Sequence, residues 1–212
     1  LTCHGPKAMK RFKSRPNRWQ DHWSRQAKKD KYPARSVYKL EEIQRKYRVI
    51  RKGATVLDLG CAPGSWLLFA ARAAGKSGKI LGIDLQEVKV ELLANVTALV
   101  GDIFEPGRQV AELLAGTFDT VISDMAPATT GNKTVDAARS LELCRRALEI
   151  ARRRLRPGGN FVCKIFQGAG FKDFTIEVKR SFEKQHNFKP RSSRKASKEI
   201  FVIGLGRRRQ EN

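Results

Sequence analysis

Apolar residues follow two rhythms along this chain. Between Ala34 and Tyr47, Val37, Leu40, Ile43 and Tyr47 recur at steps of three and four, which predicts an amphipathic helix started by Ser36 or by the turn at Pro33. After Lys52-Gly53 the rhythm changes. Thr55 to Leu59 is a short β-branched and aliphatic run, a glycine loop follows, and Trp66 to Ala74 is largely apolar, the pattern of strand, loop and helix. The alternation continues with strands predicted over 79–83, 96–100 and 118–123 and a short helix over 109–114. A long helix over 135–155 is expected to end at Pro157-Gly158-Gly159, followed by a strand over 160–166, a helix over 171–186 and a closing strand over 199–203. Strands alternating with helices predict an α/β fold with a doubly wound, mainly parallel sheet, whose ligands gather beyond the carboxyl ends of the strands. Ahead of this pattern, the chain from Leu1 to about Lys31 is basic, and polar apart from Phe12, Trp19 and Trp23, and reads as an arm that becomes partly helical near its end.

With 212 residues, 41% hydrophobic and 30% charged, the chain holds enough apolar material for one main core, so wholesale disorder is a poor reading. No stretch reaches the roughly 18 consecutive apolar residues of a membrane span, and the basic start lacks the apolar segment of a secretory signal. Cys3, Cys61, Cys144 and Cys163 lie too far apart for CxxC pairs, so neither a metal site nor a disulfide framework is expected, and a reducing cytoplasm fits.

Charge sharpens the picture. The formal net charge is +22, from 43 Lys and Arg against 21 Asp and Glu. Residues 1–52 carry 17 basic and 4 acidic side chains, residues 53–144 carry 7 and 11, and residues 145–212 carry 19 and 6. An acidic middle between basic flanks predicts a core that binds something small and flanks that face a polyanion, nucleic acid first. The blander reading makes runs such as 152–154 and 207–209 solvated faces. An anionic membrane surface is disfavoured because no helix pairs a broad apolar face with a basic one.

The segment Asp58-Leu59-Gly60-Cys61-Ala62-Pro63-Gly64-Ser65-Trp66 follows a strand and opens a helix, where glycines let backbone turn sharply and approach a ligand. Ala62 and Pro63 break a dinucleotide fingerprint and no GxxxxGK[ST] loop occurs, so NAD and ATP lose ground. Asp84 ends the next strand, where a carboxylate can accept both hydroxyls of a ribose, and Gly101-Asp102 ends the one after. Alternatively these acids are helix caps or loop carboxylates and the glycines a structural turn. Acids at successive strand ends outline an adenosine pocket, and the sulfonium of S-adenosylmethionine suits a net-acidic core.

Asp124-Met125-Ala126-Pro127 follows the strand over 118–123, which sets Asp124 beside that pocket. Lys164 interrupts the apolar run Phe161-Val162-Cys163-Lys164-Ile165-Phe166, where an unpaired lysine would cost several kcal/mol. Glu199 begins another apolar run, and Lys39 lies in the amphipathic helix. An amine buried near other cations is drawn toward its neutral, basic form, whereas carboxylates hold it charged, so two lysines with two acids could balance one amine for proton transfer. The competing readings are a snorkelling edge-strand lysine for Lys164 and a surface lysine for Lys39.

Together these residues resemble the FtsJ/RrmJ group of S-adenosylmethionine-dependent ribose 2′-O-methyltransferases, in particular those acting on a uridine of large-subunit (23S) ribosomal RNA. The resemblance runs from Arg18 to Arg207 through Arg35-Ser36-Val37-Tyr38-Lys39-Leu40, the Asp58 to Trp66 loop, Gly101-Asp102, Asp124-Met125-Ala126-Pro127, Lys164-Ile165-Phe166-Gln167-Gly168 and Ser192-Ser193-Arg194 through Lys198-Glu199. It implies a Rossmann-like methyltransferase fold of seven strands with one antiparallel closing strand that carries Glu199. It also implies a catalytic Lys39, Asp124, Lys164 and Glu199 tetrad, and cofactor contacts at Gly60, Gly64, Trp66, Asp84, Asp102 and Asp124. The departures are Cys61 and Ser65, where the loop commonly has Ala and Gly, and Ala128, where Asn often stands. The expected organisation is an arm over 1–33, a methyltransferase domain over 34–206 and a tail over 207–212, acting as a monomer on RNA and not DNA, which lacks the 2′-hydroxyl. Trp19, Trp23 and Tyr32 could stack on unpaired bases or pack the arm onto the core. The rival functions are the same chemistry on transfer RNA and a non-catalytic RNA-binding assembly factor.

Overall fold

The computed structural model describes residues 18–194 and 196–209. The first half of the predicted arm, Cys3 and residues 210–212 lie outside the described residues. The strands are β1 (Thr55–Leu59), β2 (Lys79–Asp84), β3 (Val96–Val100), β4 (Phe118–Ser123), β5 (Leu155–Phe166), β6 (Phe182–Phe188) and β7 (Glu199–Arg207). They form one sheet in the order β3-β2-β1-β4-β5-β7-β6. Strands β1 to β5 pair in parallel, whereas β7 runs antiparallel to both its neighbours. The chain therefore winds outward in both directions from the β1/β4 junction, and a crevice opens at that switch point beyond the strand ends.

The central strands are apolar on both faces because both are covered. Leu57, Leu59, Val121, Phe161, Cys163 and Val202 face α4 (Arg108–Leu114), α5 (Lys133–Arg154) and α6 (Phe171–Ser181). Val56, Ile80, Ile122, Val162, Phe201 and Ile203 face α2 (Val37–Tyr47) and α3 (Ser65–Ala74). Outside that second layer lies α1 (Arg18–Lys29), where the end of the predicted arm packs on the body. Ala27 is buried with Val37 and Tyr38, Trp23 packs on Tyr38 at 4.9 Å between ring centroids, and the Tyr38 hydroxyl donates to Asp30 at 2.7 Å. Tyr32 lies against the Arg72 guanidinium. Packing thus accounts for Trp23 and Tyr32; the Trp19 side chain lies outside what is described. At the other end of the domain, β7 runs to Arg207, whose Nε donates to the Arg152 carbonyl.

Two expectations are corrected. Residues 182–186, read as the end of a helix, belong to β6 (Phe182–Phe188), the seventh strand. Phe174, Val178 and Phe182 are spaced by four and all buried, so the helical stripe continues on paper past the real helix end. At Phe182 the backbone turns extended, and the ring stacks on Phe161 and fills the space left by the missing side chain of Gly204. The long helix expected over 135–155 ends at Arg154, and the strand expected from Asn160 already begins at Leu155. Leu155 already pairs with Phe118 in the sheet and buries itself in the same apolar cluster, and a register shift before Asn160 absorbs the Pro-Gly-Gly turn. At its start, this helix is capped by Asn132, whose side chain accepts the Thr134 and Val135 amides.

Candidate active site

A cavity of about 480 Å³ opens at the switch point, lined among others by Gly60, Asp84, Leu85, Asp102, Phe104 and Asp124. Backbone amides hold two of the acids there. Asp84 accepts the Ala62 amide on one oxygen (2.9 Å) and the Gln86 amide on the other (2.8 Å), and Asp102 accepts the Phe104 amide (2.8 Å). One amide per oxygen leaves acceptor capacity on both carboxylates. Leu85 and Phe104 expose apolar side chains beside them. Gly60 has φ +79°, and a Cβ there would lie 2.6 Å from Met125 Cγ and 3.0 Å from its backbone N and Cα. Only glycine lets the β1 loop close against the β4 loop. Gly60→Ala should destabilise the fold by about 1–3 kcal/mol through the left-handed backbone and this collision and weaken cofactor binding; thermal unfolding and calorimetric titration would read both effects.

Beside the cavity the four predicted catalytic side chains come together as two ion pairs. Lys39 Nζ donates to Glu199 Oε2 at 2.7 Å. Lys164 Nζ lies 3.0 Å from Asp124 Oδ1 and donates a short hydrogen bond to the Asp124 carbonyl. The Lys164 side chain is only 6% exposed. Its placement follows from sheet register: Lys164 stands opposite Phe201 on β7, so Lys164, Phe201 and Glu199 share the face toward α2. The amine of Lys39 lies 5.9 Å from the Phe201 ring centroid, and Phe201 packs against Trp66. From behind, Cys144 Sγ donates to the Lys164 carbonyl at 3.1 Å and fixes the strand. Burial pushes the Glu199 carboxyl up, but attraction to Lys39, reinforced by Lys164, outweighs it and holds the group below its ordinary range.

Asp58, not singled out beyond its place at the head of the glycine loop, belongs to this row. It is fully buried on β1, and neither carboxylate oxygen has a hydrogen-bond partner among the described residues. Burial pushes its carboxyl far above the ordinary range, and the nearby carboxylates of Asp124 and Asp84 push it further. The sequence carried the same signal as at Lys164, a charge inside an apolar strand. Trp66 and Gly64 are not among the residues lining the cavity. The Trp66 indole is buried and donates to the Ser36 carbonyl at 3.0 Å, while Gly64, at φ +107°, leaves room for Val88 and Val90. Ser65 accepts the Ala34 amide (2.8 Å) and donates to the Ala34 carbonyl (3.0 Å), so this departure from the family pattern clasps the turn before α2. Cys61 is buried over Gly82, and Ala128 is exposed.

The family model described as FtsJ-like methyltransferase matches residues 32–207. The chain belongs to that family. This FtsJ-like methyltransferase is 56% identical over 198 residues to ribosomal RNA large subunit methyltransferase E of Desulforapulum autotrophicum, covering 93% of this chain and 98% of that protein. It is 50% identical to the protein of the same name from Desulfosudis oleivorans, over 94% and 97% of the two chains. Among solved structures, a Plasmodium falciparum protein described as a ribosomal RNA methyltransferase superposes with a TM-score of 0.72 at 28% identity, over 83% of this chain and 98% of that one. The FtsJ-like chain thus combines a methyltransferase fold with a cavity at its switch point and a paired lysine beside it.

Proposed function

We propose that this FtsJ-like methyltransferase moves a methyl group from S-adenosylmethionine to the ribose 2′-hydroxyl of a uridine in 23S ribosomal RNA of the large subunit. The observation that carries the reading is the double position of Asp124, which lines the cavity and pairs with Lys164. A ligand in the cavity and an acceptor at the amine therefore meet at one carboxylate. The names of the relatives, ribosomal RNA large subunit methyltransferase E, favour this acceptor.

The donor set suits an adenosyl sulfonium. Asp84 offers its spare acceptor sites to ribose hydroxyls, Asp102 to an amino group, and Leu85 with Phe104 offers apolar surface to a base. Asp84, Asp102 and Asp124 give the cavity wall an acidic character that favours a cation. When bound, S-adenosylmethionine supplies an electrophilic methyl group. Lys164 takes or shares the proton of the attacking hydroxyl, Asp124 orients the amine, and the Lys39–Glu199 pair holds the other side of the acceptor ribose. Positioning supplies most of the rate. A basic chain of net charge +22 favours a polyanionic substrate, and only RNA carries the 2′-hydroxyl.

Tritium transfer from labelled cofactor to undermethylated large subunits, to 23S ribosomal RNA and to transfer RNA, assayed separately, tests the acceptor. Label is expected in the large-subunit RNA. Label confined to transfer RNA, or none in any RNA despite cofactor binding, would overturn the reading.

A further inference from the structure

Residues 189–198, between β6 and β7, carry four described cations and no acid. Lys189, Arg191, Arg194 and Lys198 are exposed, whereas Pro190, Ser192 and Ser193 between them are buried. A surface segment with this much like charge tends to splay. Glu42 holds it: Oε2 accepts the Arg191 amide at 2.8 Å and Oε1 the Ser192 amide at 2.9 Å. Glu42 lies three residues after Lys39 on α2, so both project from the same side of the helix. Lys39 grips Glu199 just beyond the end of the loop, and Glu42 grips the loop near its start. Within the loop, Lys189 Nζ donates to the Ser197 carbonyl at 2.8 Å.

This fastening sets where the loop cations stand. Burial, and after it the Arg194 guanidinium of the loop, push the Arg35 guanidinium just before α2 down, while Glu199 of the tetrad pulls it back up. Exposed loop cations fastened in place at the rim of this site add positive potential that draws an anion. A ribose inside an RNA strand has a phosphodiester on each side.

Resting on the proposed function, we infer that Glu42 is a positioning residue that holds residues 189–198 as a cradle for the acceptor backbone. In this cradle Arg35 and Arg194 take the phosphodiester next to the ribose presented to Lys164. Its loss should therefore act on RNA affinity and not on the chemical step.

The test is equilibrium binding of a fluorescent single-stranded 23S fragment across a salt series, beside steady-state kinetics on large subunits, for the full chain carrying Glu42→Ala, Glu42→Gln or Arg194→Ala. Glu42→Ala should raise Kd and KM for RNA roughly tenfold, with kcat at saturating RNA changing far less and cofactor affinity unmoved. Glu42→Gln, which keeps one acceptor oxygen, should recover part of the loss. Arg194→Ala, an exposed change, should reduce the slope of log affinity against log salt by about 0.7, the share of one single-strand phosphate contact. Wild-type RNA affinity and salt slope in Glu42→Ala, or a loss of kcat with RNA affinity intact, would overturn the inference. Should that variant not fold, an unchanged slope in Arg194→Ala does the same. Binding is read without catalysis, so reduced affinity in Glu42→Ala supports the cradle even if the wild type transfers no methyl, a result that would sink the proposed function instead.

Discussion

Lys164→Ala is expected to slow methyl transfer by about 10²- to 10⁴-fold, the usual share of a positioned proton-transfer group, with cofactor affinity changed little. The amine is almost wholly buried, it meets both the carbonyl and the carboxylate of Asp124, and Asp124 lines the cavity. Removing it takes away the only amine paired with Asp124 among the described residues. Lys164→Arg separates two roles. Arginine keeps the positive charge and can pair with Asp124, but it does not give up its proton in a protein. If Lys164 takes the hydroxyl proton, Lys164→Arg fails nearly as badly as Lys164→Ala; if it only fixes geometry, arginine rescues most of the rate. Single-turnover rates at saturating cofactor and RNA read the difference, and near wild-type activity of Lys164→Arg at neutral pH would reject the base role.

Asp58→Asn is expected to stabilise the cofactor-free protein at neutral pH, because burial and two neighbouring carboxylates make ionisation of the wild-type side chain costly. Burial, with Asp124 and Asp84, raises the folded-state carboxyl above its unfolded value of about 3.9. Between those two values the folded chain binds more protons than the unfolded one, so this group's contribution is fully present below the unfolded value and is lost as pH rises toward the folded one. Asparagine has no such loss. The stability gap between Asp58→Asn and wild type should therefore open above about pH 4, by at most about 1.4 kcal/mol per pH unit, and level off at the folded value. Urea unfolding from pH 5 to 8 without cofactor measures it. A gap that does not change with pH would show that Asp58 ionises normally and has a counter-charge.

Much of the fold was legible because its signals are local. Six of the seven strands are short apolar runs bounded by loops, and the apolar faces of α2 and α3 read directly from spacing. The seventh strand was hidden because Phe182 keeps the step of four set by Phe174 and Val178, and only the groove at Gly204, a partner distant in sequence, draws it into the sheet. The same division holds at the site. Lys164 stood out as a charge in a buried strand. Asp58 gave the same signal, masked by the glycine loop that begins with it. Lys39 and Glu42 look like ordinary polar positions of an amphipathic helix; their meaning comes from partners some 150 residues away, Glu199 and the loop before it. Neither side of those contacts announces the other in the sequence.

The position of the transferred methyl group is the most direct test of a site built around a buried amine beside Asp124. Large-subunit RNA labelled by the enzyme would be hydrolysed in alkali, which cleaves RNA only where the 2′-hydroxyl is free to attack its own phosphodiester. Methyl on a ribose 2′-oxygen predicts that the label survives in an alkali-resistant dinucleotide beginning with uridine. Label released in ordinary mononucleotides, with the methyl on a base, would contradict the account.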